Sequence, residues 1–200
     1  MPPKSKFTKE EIIAAAVRIA EEQGIEGITA RALGEKLGSS ARPVFTVFKN
    51  MEELIGEVIK AVRELYNAYI KKGLGCEIAF KGVGLEYVKF AVEKPRLFQI
   101  LFMFNDDKKS DINSILPKID DNYDKILRSI TDSYGIDKEN ALILYRHLWI
   151  YTHGIASLIA TGTCFFTDGE IDAMMTDIFQ GLLIKLKAEK DKKENKNDQA

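Results

Sequence analysis

Apolar residues recur at helical spacing along almost the whole chain, and this pattern predicts an all-α protein of about nine helices. The first predicted helix spans residues 12–23, with Ile12, Ala16 and Ala20 on one face and Gly24 at its end. A second stripe predicts a long helix over residues 51–72. The last stripe predicts a final helix over residues 169–187, and no segment has the alternation of a strand.

Four further helices are predicted in the middle of the chain, over residues 77–93, 95–104, 111–134 and 137–160. Asp137 and Asp168 are suited to capping the starts of the last two helices. Pro117 is expected at the start or at a kink of the helix that ends at Tyr134. Gly82 and Gly84 weaken the helical pattern around them.

Residues 29–37 predict a short helix that ends in a tight turn. Thr29 is a good N-cap, and Leu33 and Leu37 lie on the same helix face. Gly38 allows the sharp exit that a β-carbon would resist. The pattern is typical of the first half of a helix-turn-helix.

A second short helix is predicted to begin at Ser39 or Ser40 and to run through Phe48, with Val44 and Phe48 facing inward. Pro43 is tolerated in a first turn, where amides lack an intrahelical partner. The outer face of this helix would enter a DNA major groove. Two short helices joined by a glycine turn are also typical of an ordinary helical hairpin with a purely structural role, so the pattern alone leaves both interpretations open.

The sequence that closes this segment favours DNA binding. Residues 44–54 read Val-Phe-Thr-Val-Phe-Lys-Asn-Met-Glu-Glu-Leu, which resembles the signature of the TetR family of bacterial transcriptional regulators. The Gly-Ile-Glu-Gly-Ile-Thr connection of residues 24–29 is similar to that family as well. The resemblance implies an N-terminal three-helix bundle with a helix-turn-helix over residues 1–50. The first eight residues of this domain, residues 1–8, are expected to form a flexible basic arm.

The resemblance also implies roles for individual residues. Arg42 is the best candidate for reading a base, because a guanidinium pairs bidentately with guanine O6 and N7. The family more often has tyrosine at Phe45 and lysine at Met51, so one backbone contact and one phosphate contact are in doubt. By matching positions, the phosphate contacts are Thr29, Arg31, Thr46 and Lys49, and the base-facing residues are Ser40, Ala41, Arg42 and Phe45.

The C-terminal part carries a second resemblance. Trp149, His153 and Gly154 reproduce a Trp-x-x-x-His-Gly pattern found in one subgroup of TetR-like regulators. It implies an effector-binding and dimerisation domain over residues 51–187, and a homodimer whose last two helices form a four-helix bundle with their mates. The interface residues implied are Leu158, Met175, Ile178 and Leu182.

Aromatic side chains suggest where an effector would bind. Taken singly, each is more often core packing, but as a group they suit a pocket for a small apolar or aromatic molecule. Three interpretations of the histidine in this group stay open: a core or interface residue, an effector contact, or a catalytic or metal-binding residue. The predicted pocket residues are Phe98, Phe102, Tyr123, Trp149 and His153.

Composition narrows the function classes. A hydrophobic content of 46% can form a core, and a formal net charge of −1 requires any DNA-binding surface to be local. Cys76 and Cys164 lack metal-ligand spacing, which suggests reduced thiols in a cytoplasm. Residues 147–166 are uncharged over nearly a spanning length, but their polar residues favour a buried helix over a membrane span. The charged tail, residues 188–200, is expected to be disordered.

No catalytic arrangement, cofactor motif or metal-ligand pattern presents itself, so an enzyme is not supported. The sequence favours a homodimeric repressor that binds a near-palindromic double-stranded operator and is released by an effector. The alternative is a ligand-binding helical protein with a degenerate DNA-binding head, acting by sequestration or protein contact.

Overall fold

The computed structural model describes residues 6–103 and 111–197, with side chains through residue 189. Every regular element in these ranges is helical, which confirms the predicted all-α class. Two short 3-10 turns lie at Ile25–Gly27 and Val44–Thr46. The α-helices are α1 (Lys9–Gln23), α2 (Ala30–Lys36), α3 (Met51–Leu74), α4 (Ala79–Glu93), α5 (Pro95–Phe102), α6 (Ile112–Ile119), α7 (Tyr123–Tyr134), α8 (Lys138–Ala160) and α9 (Asp168–Asn197).

The chain divides into two compact units, and α3 and α4 each contribute to both. The first unit contains Met1–Tyr66 and Phe90–Asp106, and the second contains Asn67–Lys89 and Asp107–Ala200. This division differs from the predicted boundary after residue 50, because the helix that begins at Met51 continues to Leu74 without a break.

The first unit is built around α1, whose inner face carries the fully buried Ile12, Ala16 and Ala20. The Thr8 hydroxyl accepts a hydrogen bond from the Glu11 amide at 3.1 Å, and the Glu11 carboxylate accepts one from the Thr8 amide at 2.8 Å. This capping box starts the helix at Lys9, before its predicted start. The predicted basic arm lies mostly outside the described residues, since the structure describes only residues 6–8 of it.

The second unit has its core between α4, α8 and α9. Val88, Ile155, Ile171 and Met175 form a buried apolar cluster there. Asp137 caps α8, as predicted, and its side chain accepts a hydrogen bond from the Asn140 amide at 2.8 Å. The apolar cluster packs α8 against α9, the two helices that contact each other most extensively in this unit.

The segment predicted as one helix up to Tyr134 is two helices, α6 and α7. Pro117 lies inside α6, and the helix ends before Asp120. The Asp120 carboxylate accepts a hydrogen bond from the Asn122 amide at 2.8 Å, a local interaction that competes with helix continuation. The single predicted helix was therefore wrong at this point.

The start and end of α9 also differ from prediction. Thr167, not Asp168, caps the helix: its hydroxyl accepts a hydrogen bond from the Glu170 amide at 3.2 Å, and the Glu170 carboxylate accepts one from the Thr167 amide at 2.8 Å. The helix continues to Asn197, so the tail expected to be disordered from residue 188 is helical up to that point. Lysine and glutamate have good helix propensity, which accounts for the continuation. Residues 198–200 lie outside the described range.

Candidate functional site

The helix-turn-helix begins with α2. The Thr29 hydroxyl accepts a hydrogen bond from the Ala32 amide at 3.1 Å, which confirms the predicted cap. Leu33 is fully buried on the inner face. Gly38 has φ 62°, so the turn after α2 uses the left-handed conformation that glycine favours.

Gly34 is a structural requirement that the sequence pattern did not reveal. A β-carbon at this position would lie 3.0 Å from the Ala41 amide nitrogen and 3.0 Å from the Ser39 carbonyl oxygen. The segment after the turn therefore packs directly on the backbone of α2. A glycine inside an otherwise regular helix was the available signal.

The second element of the helix-turn-helix is tighter than predicted. Instead of an α-helix through Phe48, the structure has a 3-10 turn at Val44–Thr46. The amides of Val44, Phe45 and Thr46 each donate to the carbonyl three residues earlier, at 3.1 to 3.2 Å. Val44 and Phe48 are buried as predicted, with 0% and 1% exposure, and they anchor the segment to the first unit.

The residues predicted to contact DNA lie on the outer side of this framework. Thr29 and Arg31 are exposed at the start of α2, and Ala41 is half-buried. Arg31 pairs with Glu35, with 2.9 Å between Nε and Oε1. Such an exposed pair is worth little in water, so it can give way to a phosphate. The other exposed members of the set are Ser40, Arg42, Phe45, Thr46 and Lys49.

Two cations in this set have side chains available for an anionic partner. Within the described part of the chain, neither Arg42 nor Lys49 takes part in an ion pair through its side chain. Phe45 between them is 46% exposed, which is unusual for a large apolar side chain. The hydroxyl of Thr46 donates to the Pro43 carbonyl at 2.6 Å and stabilises the turn itself.

The predicted effector residues fall into the two units. Phe98 is fully buried in the first unit, with its ring centroid 4.9 Å from that of Phe102. Phe102 in turn lies 5.1 Å from Tyr66. In the second unit, the Tyr123 ring lies 5.7 Å from Tyr145. Trp149 stacks on His153, with centroids 4.8 Å apart and planes inclined by 7°.

His153 is held by hydrogen bonds on both ring nitrogens. Nδ1 lies 2.9 Å from the hydroxyl of Tyr87, and Nε2 lies 3.3 Å from that of Ser157. Burial lowers the pKa of His153, so the neutral ring is favoured. The residue therefore has the neighbours that a satisfied core histidine requires.

Of the residues predicted at the dimer interface, Met175 belongs to the core cluster of its own chain, with 6% exposure. The other three lie nearer the surface, and Leu158 is 39% exposed. Ile178 and Leu182 line a surface groove between α8 and α9. The groove is almost entirely apolar, and its other lining residues are His147, Ile150, Tyr151, Asp177 and Gly181.

Two other kinds of site are absent from the described residues. They contain no group of three or more histidine, cysteine or acidic side chains placed to hold a metal ion. None of their helices has the length and apolar character needed to cross a membrane.

The chain is similar to known proteins in both sequence and structure. A family model described as "Tetracyclin repressor-like, C-terminal domain" matches residues 80–182, and one described as "Bacterial regulatory proteins, tetR family" matches residues 12–58. The chain is 25% identical over 171 residues to the uncharacterised HTH-type transcriptional regulator YobS of Bacillus subtilis, covering 80% of this chain and 83% of that protein.

Solved structures share the fold at lower sequence identity. The fatty acid degradation regulator FadR of Bacillus halodurans aligns with a TM-score of 0.58 at 16% identity, over 90% of this chain and 97% of its own. SmeT, the repressor of the Stenotrophomonas maltophilia multidrug efflux pump SmeDEF, aligns with a TM-score of 0.55 at 18% identity, over 92% of each chain. A TetR variant from Acinetobacter baumannii in complex with minocycline aligns with a TM-score of 0.53 at 17% identity, over 92% of this chain and 98% of its own. With the C-terminal family model covering more than half of the sequence, the chain belongs to the TetR family of bacterial regulatory proteins.

Proposed function

We propose that this TetR-family regulator is a homodimeric repressor that binds a near-palindromic operator and is released by a small-molecule effector. The observation that carries the proposal is the outer surface of the helix-turn-helix. There, Arg42 and Lys49 are exposed beside Phe45, while Val44 and Phe48 fix the segment from behind. A cationic surface on a rigid element is what DNA recognition requires, because phosphate contacts position and base contacts specify.

In this proposal Arg42 reads a base and the other cations bind phosphate. Arg31 lies in the first turn of α2, where the helix N-terminus adds a favourable dipole, and Lys49 follows the 3-10 turn. Two heads of a dimer would occupy half-sites about 34–36 Å apart, or a multiple of this spacing.

The apolar groove between α8 and α9 supports dimerisation with a second copy of the chain. Ile150 on α8 is 51% exposed and lines the groove with Ile178 and Leu182 on α9. Leu158, further along α8, is 39% exposed. An apolar face of this kind is uncommon on monomers and typical of an interface. Gly154 and Gly181 leave open space where β-carbons would lie, so a partner helix can approach closely.

The second unit is proposed to bind the effector. Among the structurally similar proteins, the Acinetobacter baumannii TetR variant forms a complex with minocycline, and FadR is a fatty acid degradation regulator. In this chain α3 runs from the helix-turn-helix into the second unit without a break, so an effector there would act on a helix that both units share. A coupling of about 1–3 kcal/mol changes operator affinity about 5- to 150-fold.

The first test is selection of fragmented host DNA by the purified protein at physiological salt, followed by sequencing. The proposed function predicts a few fragments that share a near-palindrome, with binding that weakens steeply as salt rises. Weak and even recovery across the genome would refute it. That result would favour the alternative of a degenerate head that acts by sequestration or protein contact.

Arg42→Ala tests base reading at the recovered operator. The variant is expected to lose about 1–3 kcal/mol at the cognate site and to relax specificity at one position. Arg18→Ala is a matched control, because Arg18 is exposed on α1 and outside the predicted DNA surface. An equal loss on all DNA sequences would show that Arg42 contacts only the backbone.

Leu182→Glu tests the interface. A charge in the apolar groove is expected to give monomers in sedimentation velocity, with loss of operator binding. Ile184→Glu is the control. Ile184 is 70% exposed on the same helix, and because it lies two residues after Leu182, its side chain points to a different face. If Leu182→Glu stays dimeric, the interface lies elsewhere.

A further inference from the structure

Three buried polar side chains gather in the second unit, where α3 meets the connection between α6 and α7. Asn67 on α3 is 4% exposed, and Asp120 and Asn122 in the connection are 3% and 4% exposed. Polar side chains are rarely buried this deeply without hydrogen-bond partners. Two of these three residues have a polar atom that lacks one among the described residues.

The first such atom is the side-chain oxygen of Asn67. Asn67 Nδ2 donates to a carboxylate oxygen of Asp121 at 2.7 Å. A carboxylate only accepts, so the amide orientation is fixed and Oδ1 must face the other way. There Oδ1 is buried without a partner in the described part of the chain. It is an acceptor that needs a donor.

The second atom is the side-chain nitrogen of Asn122. This residue occupies the N-cap position of α7, but its side chain makes no capping hydrogen bond. Its Nδ2 is buried, and the described residues provide no acceptor for it. Asn67 is hydrogen-bonded to Asp121, and Asn122 is the next residue in the chain, so one hydrogen bond and one peptide bond connect the residue with the unsatisfied acceptor to the residue with the unsatisfied donor.

Two aromatic rings and a carboxylate lie close to Asn122 in the structure. Tyr145 is 3% exposed, and its ring lies 5.7 Å from that of Tyr123, the residue after Asn122. Burial raises the pKa of Tyr145, and the charge of Asp120 adds to this, which places Asp120 near the ring. The surroundings of Asn122 therefore combine aromatic rings with a negative charge that is unfavourable to an anionic ligand.

We propose that Asn67 and Asn122 form the recognition site for a neutral, planar cyclic amide, a molecule with adjacent N–H and C=O groups on a flat ring. The ligand N–H donates to Asn67 Oδ1, and its C=O accepts from Asn122 Nδ2. The ring lies against the tyrosines. This names the chemical class of the effector, and its regulatory meaning rests on the proposed repressor function.

The test uses 2-pyridone, which carries both groups on one ring, and N-methyl-2-pyridone, which lacks the N–H. Trp149 is the only tryptophan of the chain, and it stacks on the histidine that Tyr87 contacts, so its fluorescence reports on this unit. Saturable binding of 2-pyridone is expected, with the N-methyl compound about 5- to 150-fold weaker because Asn67 Oδ1 stays unsatisfied. Equal affinities, or no binding of 2-pyridone, would overturn the proposal.

Asn122→Leu provides a second and independent measurement. This substitution removes the unsatisfied donor and leaves the side-chain volume similar, so the melting temperature of the ligand-free variant is expected to equal or exceed that of the unmodified protein. Its affinity for 2-pyridone is expected to fall about 5- to 150-fold. Asn113→Leu, at an exposed position of α6, is the control and should bind 2-pyridone normally. A lower melting temperature with unchanged binding would show that Asn122 has only a structural role.

The titration needs no DNA, which separates this inference from the proposed function. A protein that binds 2-pyridone as described but selects no operator would support the site and refute the repressor. A protein that selects an operator but does not distinguish the two pyridones would refute the site alone.

Discussion

Replacing Gly82 with alanine tests how closely the end of α3 and the start of α4 approach each other. A β-carbon on Gly82 would lie 2.4 Å from the carbonyl oxygen of Gly73 and 2.8 Å from the β-carbon of Cys76. Neither distance is tolerable, and the nearest atom belongs to backbone, which cannot rotate away. One of the two helices must therefore shift.

The expected cost follows from two opposing terms. Overpacking of this kind costs about 1–3 kcal/mol. Alanine in a helix interior offsets this by about 0.5–1 kcal/mol relative to glycine. From the middle of each range, the net effect is a loss of about 1 kcal/mol in the free energy of unfolding, which for a chain of this size lowers the melting temperature by about 2–4 °C.

The measurement is urea unfolding followed by Trp149 fluorescence, because this tryptophan lies in the same unit as Gly82. Gly169→Ala is the matched control, since nothing lies within 4 Å of the added β-carbon and the residue is in the same unit. The control should unfold at the same urea concentration as the unmodified protein or slightly higher. If Gly82→Ala behaves like Gly169→Ala, the close approach of the two helices is refuted.

Two further predictions concern a helix cap and a buried histidine. Thr8→Ala removes the hydroxyl that accepts from the Glu11 amide, and thermal unfolding should show a loss of about 1 kcal/mol; no loss would mean that the capping box does not stabilise α1. Burial lowers the pKa of His153 in the folded protein. Below the unfolded pKa of about 6.5, the unfolded chain therefore binds a proton before the folded one does. As a result, the free energy of unfolding falls as the pH decreases toward the folded pKa. His153→Gln should lose this pH dependence. The prediction would be contradicted if the free energies of unfolding of the two proteins changed in parallel between neutral pH and the folded pKa.

The helix-turn-helix was predictable because its signals are local. Thr29 and Gly38 have the residue types that a cap and a left-handed turn require, and the structure uses both in that way. The type of the second helix was not predictable from spacing. Val44 in the 3-10 turn and Phe48 just after it face inward as they would in an α-helix, so apolar periodicity does not distinguish the two kinds of helix over so short a segment.

The predicted effector residues show a different limit. Taken singly, Phe98 was expected to pack in a core, and it is fully buried, but such an expectation does not say in which core a residue lies. Phe98 and Phe102 pack in the first unit, whereas Trp149 and His153 pack in the second. The assignment of a side chain to one core or another depends on tertiary contacts, which the spacing along one helix does not contain.

The same reasoning explains why Asn67 and Asn122 gave no signal in the sequence. An asparagine on a long helix and one before a helix are ordinary surface choices, and only burial makes them unusual. Each unsatisfied buried group costs about 1–3 kcal/mol. A ligand that satisfies both groups recovers a free energy comparable to the coupling of about 1–3 kcal/mol that changes operator affinity up to about 150-fold. Asn67 belongs to the same continuous helix that begins at Met51, so in the proposed function a ligand bound at Asn67 would act directly on this helix.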